Sequence, residues 1–180
     1  LRMPLFVIPG NHDGREEMRK AFSHEAYMPK TGYIQYVVDD YPIRLIALDT
    51  LDDGEVGGAI CKERFTWLER VLGQDSHKPA LIFMHHPPML TGNRLFDSIN
   101  CKTPQAFESL IKGAPHLLGV LTGHYHHLLV TTMGSKLGFI APSIAPTHFF
   151  AHPDDEKPTA IALTNPAITL HRLLSNGSLT

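Results

Sequence analysis

Hydrophobic positions gather into four short, near-continuous runs, at residues 5–8, 43–48, 80–84 and 117–121, each followed at once by polar or glycine-containing residues. Runs of this length without alternation predict strands buried on both faces, as in a largely parallel sheet covered by helices. Between them the spacing turns helical. Residues 15–22 are short and charged, and residues 63–72 set Phe65, Leu68 and Leu72 on one face with Trp67 and Val71 beside it. Thr103-Pro104 offers a cap and a first-turn proline ahead of the stripe Phe107, Leu110 and Ile111. The last third predicts two hairpins: 128–133 with 137–141 around Gly134-Ser135, and 159–163 with 168–173 around Asn165-Pro166. Residues 142–158 between them are proline-rich and loop-like. No repeat or linker interrupts the chain, so the expectation is one α/β domain over residues 1–180.

Composition sharpens this picture in one respect. Twelve of the 180 residues are histidine, and His12, His85, His86, His124, His126 and His127 account for half of them. Imidazole is the commonest metal ligand and the usual proton shuttle near neutral pH. Charge excludes other classes: 18 acidic against 16 basic residues leave no electrostatic footprint for nucleic acid or an anionic membrane. No apolar run approaches the roughly 18 residues of a membrane span, and nothing reads as a signal peptide. Cys61 and Cys101 stand far apart without a CxxC pairing. They read as ordinary thiols of a reducing compartment, which leaves the Asn176-Gly177-Ser178 sequon idle. The expectation is a soluble, cytoplasmic metalloenzyme. The chain also runs from Met3-Pro4 straight into its first apolar run, and reads as one that has lost its beginning.

Three apolar runs end in the unusual residues: 5–8 leads into Pro9-Gly10-Asn11-His12-Asp13, 80–84 into His85-His86-Pro87-Pro88, and 117–121 into Thr122-Gly123-His124-Tyr125-His126-His127. Ligands of open α/β sheets bind beyond the carboxyl ends of the strands, so three such ends converge on one site. Imidazoles with an asparagine oxygen suit Zn, Mn, Fe, Co or Ni. In an extended Gly-His-x-His, His124 and His126 share a face and touch one metal jointly or two neighbouring metals. His12 beside Asp13 pairs an imidazole with a carboxylate, as a general acid needs. Each element has a bland reading. His85-His86 also reads as a core pair and Asn11-His12-Asp13 as a turn; three elements at three strand ends favour the metal site.

Gly-Asn-His-Asp (10–13), His-His-Pro-Pro (85–88) and Gly-His-x-His (123–126), in this order, resemble the calcineurin-like metallophosphoesterases. Leu48-Asp49-Thr50, Gly57-Gly58, Trp67-Leu68-Glu69 and Ala141-Pro142-Ser143 add matches to class III cyclic nucleotide phosphodiesterases and related bacterial glycerophosphodiesterases, over residues 5 to about 150. The resemblance implies a layered α/β sandwich of two mixed sheets flanked by helices, holding two divalent metal ions (Fe, Mn, Zn or Co). Asn11, His85 and His124 would ligate one metal and His126 the other, while Asn11, His12 and His126 face the substrate phosphate. The first imidazole of the pair aligns with the family ligand, so His85 is chosen over His86; His86 and His148 are placed at the pocket edge without ligating, and His127 also stands outside the ligand set. The metals, about 3.5–4 Å apart, would clamp the phosphate and supply a bridging hydroxide for in-line attack. His12, backed by Asp13, would protonate the leaving alkoxide.

The family's Asp-x-His and Gly-Asp ligand motifs lie upstream of residue 10 and are not in this sequence. The expectation is therefore an N-terminally truncated domain, inactive as it stands. Asp49, Asp52 and Asp53 are the conceivable replacements, though a turn at Asp52-Asp53-Gly54 is the simpler reading. The expected reaction is hydrolysis of a small-molecule phosphodiester, cyclic AMP first. The alternatives are glycerophosphodiesters or a broad range of diesters, or a non-catalytic metal-binding module. A homodimer is suggested by the resemblance alone. Specificity is assigned to loops 89–101 and 143–155, where Phe96, Asp97 and the Phe149-Phe150 pair are candidates for base or dimer contacts, with core packing of the phenylalanines as the plain alternative.

Overall fold

The computed structural model describes residues 3–74, 77–103, 105–149, 152, 155 and 160–180. Its elements run α1 (Arg15–Ala21), β1 (Tyr36–Val38), β2 (Arg44–Leu48), β3 (Gly58–Ala59), α2 (Lys62–Gln74), β4 (Ala80–Met84), α3 (Arg94–Ser98), β5 (Cys101–Lys102), α4 (Phe107–Gly113), β6 (Leu117–Thr122), β7 (Leu129–Met133), β8 (Lys136–Ile140), β9 (Thr147–Phe149) and β10 (Ala160–Ala162). Six strands form one mixed sheet in the order β1-β2-β4-β6-β8-β7, with β2, β4, β6 and β8 mutually parallel and the two edge strands antiparallel to their neighbours. β3 pairs with β5 and β9 with β10 as two short sheets beside it.

Alternation along the central strands divides two cores. Ile46 and Leu48 of β2 and Ile82 and Met84 of β4 face α2 and α4, whose Phe65, Leu68, Leu72, Phe107 and Ile111 complete the main core. Ala47, Leu45 and Phe83 point the other way, onto Ile34, Tyr36, Val38, Phe6, Ile8 and Tyr27. Both faces of the sheet are thus covered, which is why these strands read as near-continuous apolar runs. Gly134 and Ser135 both take positive φ, at 54° and 71°, as the tight turn of the β7–β8 hairpin requires.

Two expected strands do not form. Residues 5–8 make no ladder among the described residues. Phe6 and Ile8 instead pack on the second core while the Tyr36 hydroxyl donates to the Val7 carbonyl at 2.7 Å. Apolarity drives that burial, but a strand also needs a partner for its backbone groups. Among the described residues, 168–173 do not pair with 160–163 either; β10 pairs with β9, and Ile168 and Leu170 are exposed. Pro166 has no N–H to close the expected turn. The start of α4 was expected at Thr103-Pro104; Pro104 lies outside the described residues, and the helix begins at Phe107.

Register places the site. Leu48 lies opposite Met84, and Phe83 opposite Leu121. The residues that follow these strands, Asp49-Thr50, His85-His86 and Gly123-His124, therefore leave the sheet side by side.

Candidate metal centre

His85 and His86 follow β4 directly and His124 follows β6, and a backbone bond from Gly123 N to His85 O at 3.0 Å locks the two strand ends together. One ring nitrogen of each imidazole lies within 4.8 Å of those of the other two. The ring centroids stand 4.8 Å (His85–His86), 5.1 Å (His85–His124) and 4.6 Å (His86–His124) apart. Glycines make this approach sterically feasible. A Cβ on Gly10 would fall 2.8 Å from His85 Cε1, and one on Gly58 only 2.4 Å from His86 Cγ and Nδ1. The backbone lies directly against both rings, and no larger residue fits without displacing them.

Each ring is aimed by a contact of its own. His85 Nε2 lies 3.0 Å from Asn11 Oδ1, which joins the turn after residues 5–8 to the end of β4. Two ligands of one cation with bonds of about 2.1 Å keep a similar separation. His124 Nε2 donates to the Ile99 carbonyl at 3.1 Å. His86, fully buried, sits 2.9 Å from the Thr50 hydroxyl through Nδ1, and its buried Nε2 makes no well-formed hydrogen bond among the described residues, with the Val56 carbonyl beside the ring. Leaving such a nitrogen unsatisfied costs about 1–3 kcal/mol, a cost that a bound cation removes.

Burial, then the facing imidazoles of His86, His124, His126 and His12, push His85 down to about 3. Burial and His124 lower His86 to about 4 against the opposing Val56 carbonyl. Burial lowers His124 to about 4, with the Ile99 carbonyl opposing and His126 and His12 adding to the shift. All three rings are neutral at physiological pH, the form in which imidazole donates to a metal. The orphaned Nε2, the glycine cradles and the all-neutral donor set together fit a divalent cation.

The remaining site residues stand around this cluster. His12 is exposed and Asn11 half-buried on the turn at 10–13. The Asp13 carboxylate, expected to back His12, accepts from Gly10 N at 2.8 Å. His126 is half-buried and its Nδ1 donates to the Pro146 carbonyl at 2.7 Å. Gly-His-x-His is not extended: His124 and His126 have φ of 74° and 60°. The alternation that would put both on one face does not apply. This left-handed turn sends Tyr125 inward to stack on Phe96 at 4.5 Å, an apolar anchor that outweighs the local strain. His86, placed at the pocket edge by the sequence reading, is inside the cluster; His148 is exposed, and its carbonyl accepts from His127 Nε2 at 2.7 Å.

The acidic candidates serve structure. Asp49 is fully buried and accepts from Arg15 Nε and Nη2 at 2.7 and 2.9 Å and from the amides of Ile34 and Leu51 at 2.8 and 2.9 Å. Asp53 pairs with Arg15 at the surface, and Glu55 N donates to the Asp52 carbonyl at 3.0 Å in a turn completed by Gly54 at φ 87°. In the loop after His86, Phe96 is buried and Asp97 accepts from Thr91 N, Thr91 Oγ1 and Gly92 N at 2.7, 2.9 and 3.1 Å, so both shape the loop. Phe149 is exposed and Phe150 lies outside the described residues. The sequence reading missed Arg15, Thr50 and α3; for α3 the signal was Asn93, whose side chain caps Phe96 N at 3.1 Å.

Comparison with known proteins adds three findings. The family model described as calcineurin-like phosphoesterase matches residues 1–128. The chain is 32% identical over 149 residues to a probable glycerophosphodiester phosphodiesterase GpdQ of Arcobacter nitrofigilis, covering 82% of this chain and 54% of that protein. It is 31% identical over 145 residues to a probable cyclic nucleotide phosphodiesterase of Synechococcus, covering 81% of this chain and 54% of that protein. The chain thus spans about half the length of these curated relatives. In fold it is similar to the crystal structure of a dimetal phosphatase from Danio rerio, with a TM-score of 0.55 and 16% identity over 75% of this chain and 59% of the other.

Proposed function

The chain belongs to the calcineurin-like phosphoesterase family, and from that premise we propose that it carries the imidazole-rich part of a divalent-metal phosphodiesterase site. The observation that supports this reading is the convergence of His85, His86 and His124 at the ends of adjacent parallel strands, one nitrogen of each within 4.8 Å of the others. Asn11, His85 and His124 would hold one cation, and His126, on the same turn as His124, would serve a second. A divalent cation there would supply Lewis acidity toward a phosphoryl oxygen and lower the pKa of water enough to furnish hydroxide as the nucleophile near neutral pH.

The chain's own residues do the rest. The Asn11 amide N–H orients a non-bridging phosphate oxygen and stabilises the charge that develops on it. His12, solvent-accessible on the same turn, delivers a proton to the departing alkoxide. Asp13 acts through the backbone, holding the turn that presents Asn11 and His12 by its bond to Gly10 N. The substrate is a small phosphodiester: relatives named for cyclic nucleotides support the cyclic diester, and those named for glycerophosphodiesters support the acyclic one.

The test uses the full-length polypeptide that carries these residues, loaded with Mn²⁺, on bis(p-nitrophenyl) phosphate, cyclic AMP and glycerophosphoethanolamine. Hydrolysis abolished by a chelator is expected. His12→Ala should cut kcat about 10²–10⁴-fold with metal content unchanged by elemental analysis. Metal lost with His12 makes it a ligand, and bound metal without turnover on any diester refutes the phosphodiesterase reading.

A further inference from the structure

α1 starts two residues after Asp13, so whatever fixes its first turn also fixes Asn11 and His12. No residue of α1 is fully buried, and Gly14 at its N-cap makes no side-chain hydrogen bond. Its apolar contact with the second core, through Met18, lies further along the helix. At the start the attachment is polar and rests on Arg15. Nε and Nη2 grip the two Asp49 oxygens at 2.7 and 2.9 Å, Nη2 also donates to the Leu51 carbonyl at 2.7 Å, and Nη1 reaches the exposed Asp53 carboxylate at 2.8 Å. We propose that Arg15 is a positioning residue of the site, acting through the turn at 10–13 to hold His12 where it delivers its proton. The proposal rests on the reading of His12 as the acid.

Three observations carry it. First, the anchor point lies at the level of the site. Asp49 directly follows Leu48, which pairs in register with Met84, the residue before His85. Arg15 therefore fastens the start of α1 to the same sheet edge from which the imidazoles leave. Second, the anchor is rigid. Asp49 is fully buried and is itself held by Ile34 N and Leu51 N at 2.8 and 2.9 Å, and the Arg15 side chain is mostly buried. An arginine fork on both oxygens of a carboxylate fixes direction as well as distance. Third, the turn has few other restraints. The bonds from Gly10 N to the Asp13 carboxylate and from Asp13 N to Gly10 O, at 2.8 and 3.1 Å, close it on itself without attaching it to the sheet. On its other side residues 5–8 make no ladder among the described residues and are held by apolar packing and the Tyr36–Val7 bond. The contact from Asn11 Oδ1 to His85 Nε2 at 3.0 Å secures Asn11, whereas His12 beside it is exposed. For a proton donor that matters, since a misplacement of about 1 Å costs about 100-fold in rate.

The leaving group separates position from fold. Bis(p-nitrophenyl) phosphate releases p-nitrophenolate, a base too weak to need a proton, whereas cyclic AMP and glycerophosphoethanolamine release alkoxides that His12 must protonate. Arg15→Lys keeps the charge but cannot span both Asp49 oxygens and the Leu51 carbonyl. In the Mn²⁺-loaded full-length polypeptide, its kcat on whichever alkoxide substrate the wild type hydrolyses should fall at least about tenfold further than its kcat on bis(p-nitrophenyl) phosphate. That is a share of the about 10²–10⁴-fold a general acid supplies. His12→Ala is the reference and should shift the ratio of the two rates further still. In the metal-free protein, amide exchange at Gly10 and Asp13 should quicken in Arg15→Lys relative to β4. Both rates are read on one preparation, so an unfolded fraction cancels from their ratio. If Arg15→Lys yields no folded protein, Asp49→Asn loosens the clamp from its other end and should shift the ratio and the exchange the same way. A ratio or an exchange pattern unchanged from wild type, with the ratio shifted in His12→Ala, overturns the proposal and leaves the phosphodiesterase reading intact. A ratio unmoved by His12→Ala removes the acid and the proposal with it.

Discussion

Asp49→Asn changes charge without changing shape beside the imidazole cluster. Oδ2 accepts from Arg15 Nε (2.7 Å) and Ile34 N (2.8 Å), and Oδ1 from Arg15 Nη2 (2.9 Å) and Leu51 N (2.9 Å), while Arg64 Nη1 stands 3.8 Å away. The carboxylate is fully buried and the Arg15 side chain is 13% exposed, so solvent cannot repair the loss. Asparagine keeps one acceptor oxygen and puts an NH₂ in place of the other. Whichever way it turns, one arginine N–H and one backbone N–H face a donor. Two such bonds, one charge-assisted, contribute about 2–4.5 kcal/mol together, and breaking a buried ion pair by removing one partner costs about 3–5 kcal/mol. Both ranges include about 3 kcal/mol, out of a total near 5–15. For a chain of this length that lowers Tm by about 6–12 °C. Trp67, the single tryptophan, packs against the main core from α2, and its fluorescence reports the transition. A folded variant whose Tm falls by less than about 3 °C would show that the Asp49 charge is not what holds Arg15 and β2 together.

Three further outcomes follow from other contacts. Gly58→Ala drives a methyl to 2.4 Å from the His86 ring, so it should destabilise by about 1–3 kcal/mol; unchanged thermal melting would mean the ring has room to retreat. Burial raises the Cys61 thiol, but the Arg64 amide, the Tyr33 hydroxyl and the Arg64 guanidinium outweigh it and bring it to about 7, whereas burial pushes Cys101 up to about 12. Iodoacetamide at native pH should therefore label Cys61 with a midpoint near 7 and spare Cys101, which mass spectrometry of peptides checks; the stability this thiolate adds is present above the ordinary thiol value and lost as pH falls through about 7. Arg44, bonded to Asp39 at 2.8 and 2.9 Å, holds that carboxyl below its ordinary value, with Lys78 assisting. Its contribution is present above the ordinary carboxylate range and lost in acid, so wild type and Asp39→Asn should converge in stability only well below about pH 4, and a gap unchanged down to about pH 2 refutes the pairing.

What could be read from the sequence follows from the range over which each cause acts. β2, β4 and β6 were legible because burial on both faces is written locally as near-continuous apolar residues, and β7–β8 because Gly134-Ser135 states its turn. Residues 5–8 carry the same local signal as β4, yet a strand is a property of two segments, and only one of the two is described by a run of apolar residues. The Asp49–Arg15 pair spans 34 positions, so from the sequence Asp49 could be weighed only as a replacement ligand. The site divides in the same way. That imidazoles converge was legible from three strand ends, since a parallel sheet delivers its carboxyl ends to one edge. His85 and His124 were legible as members of that set; His86 was not. Gly-His-x-His looks extended as a string, but burying Tyr125 on Phe96 turns it left-handed, so strand alternation does not place His124 and His126. His86 looks redundant beside His85 until Gly58, 28 positions away in sequence, is seen against its ring and Thr50 against its Nδ1. A glycine has no side chain to announce what it makes room for, so its role is visible only from the residue that it admits.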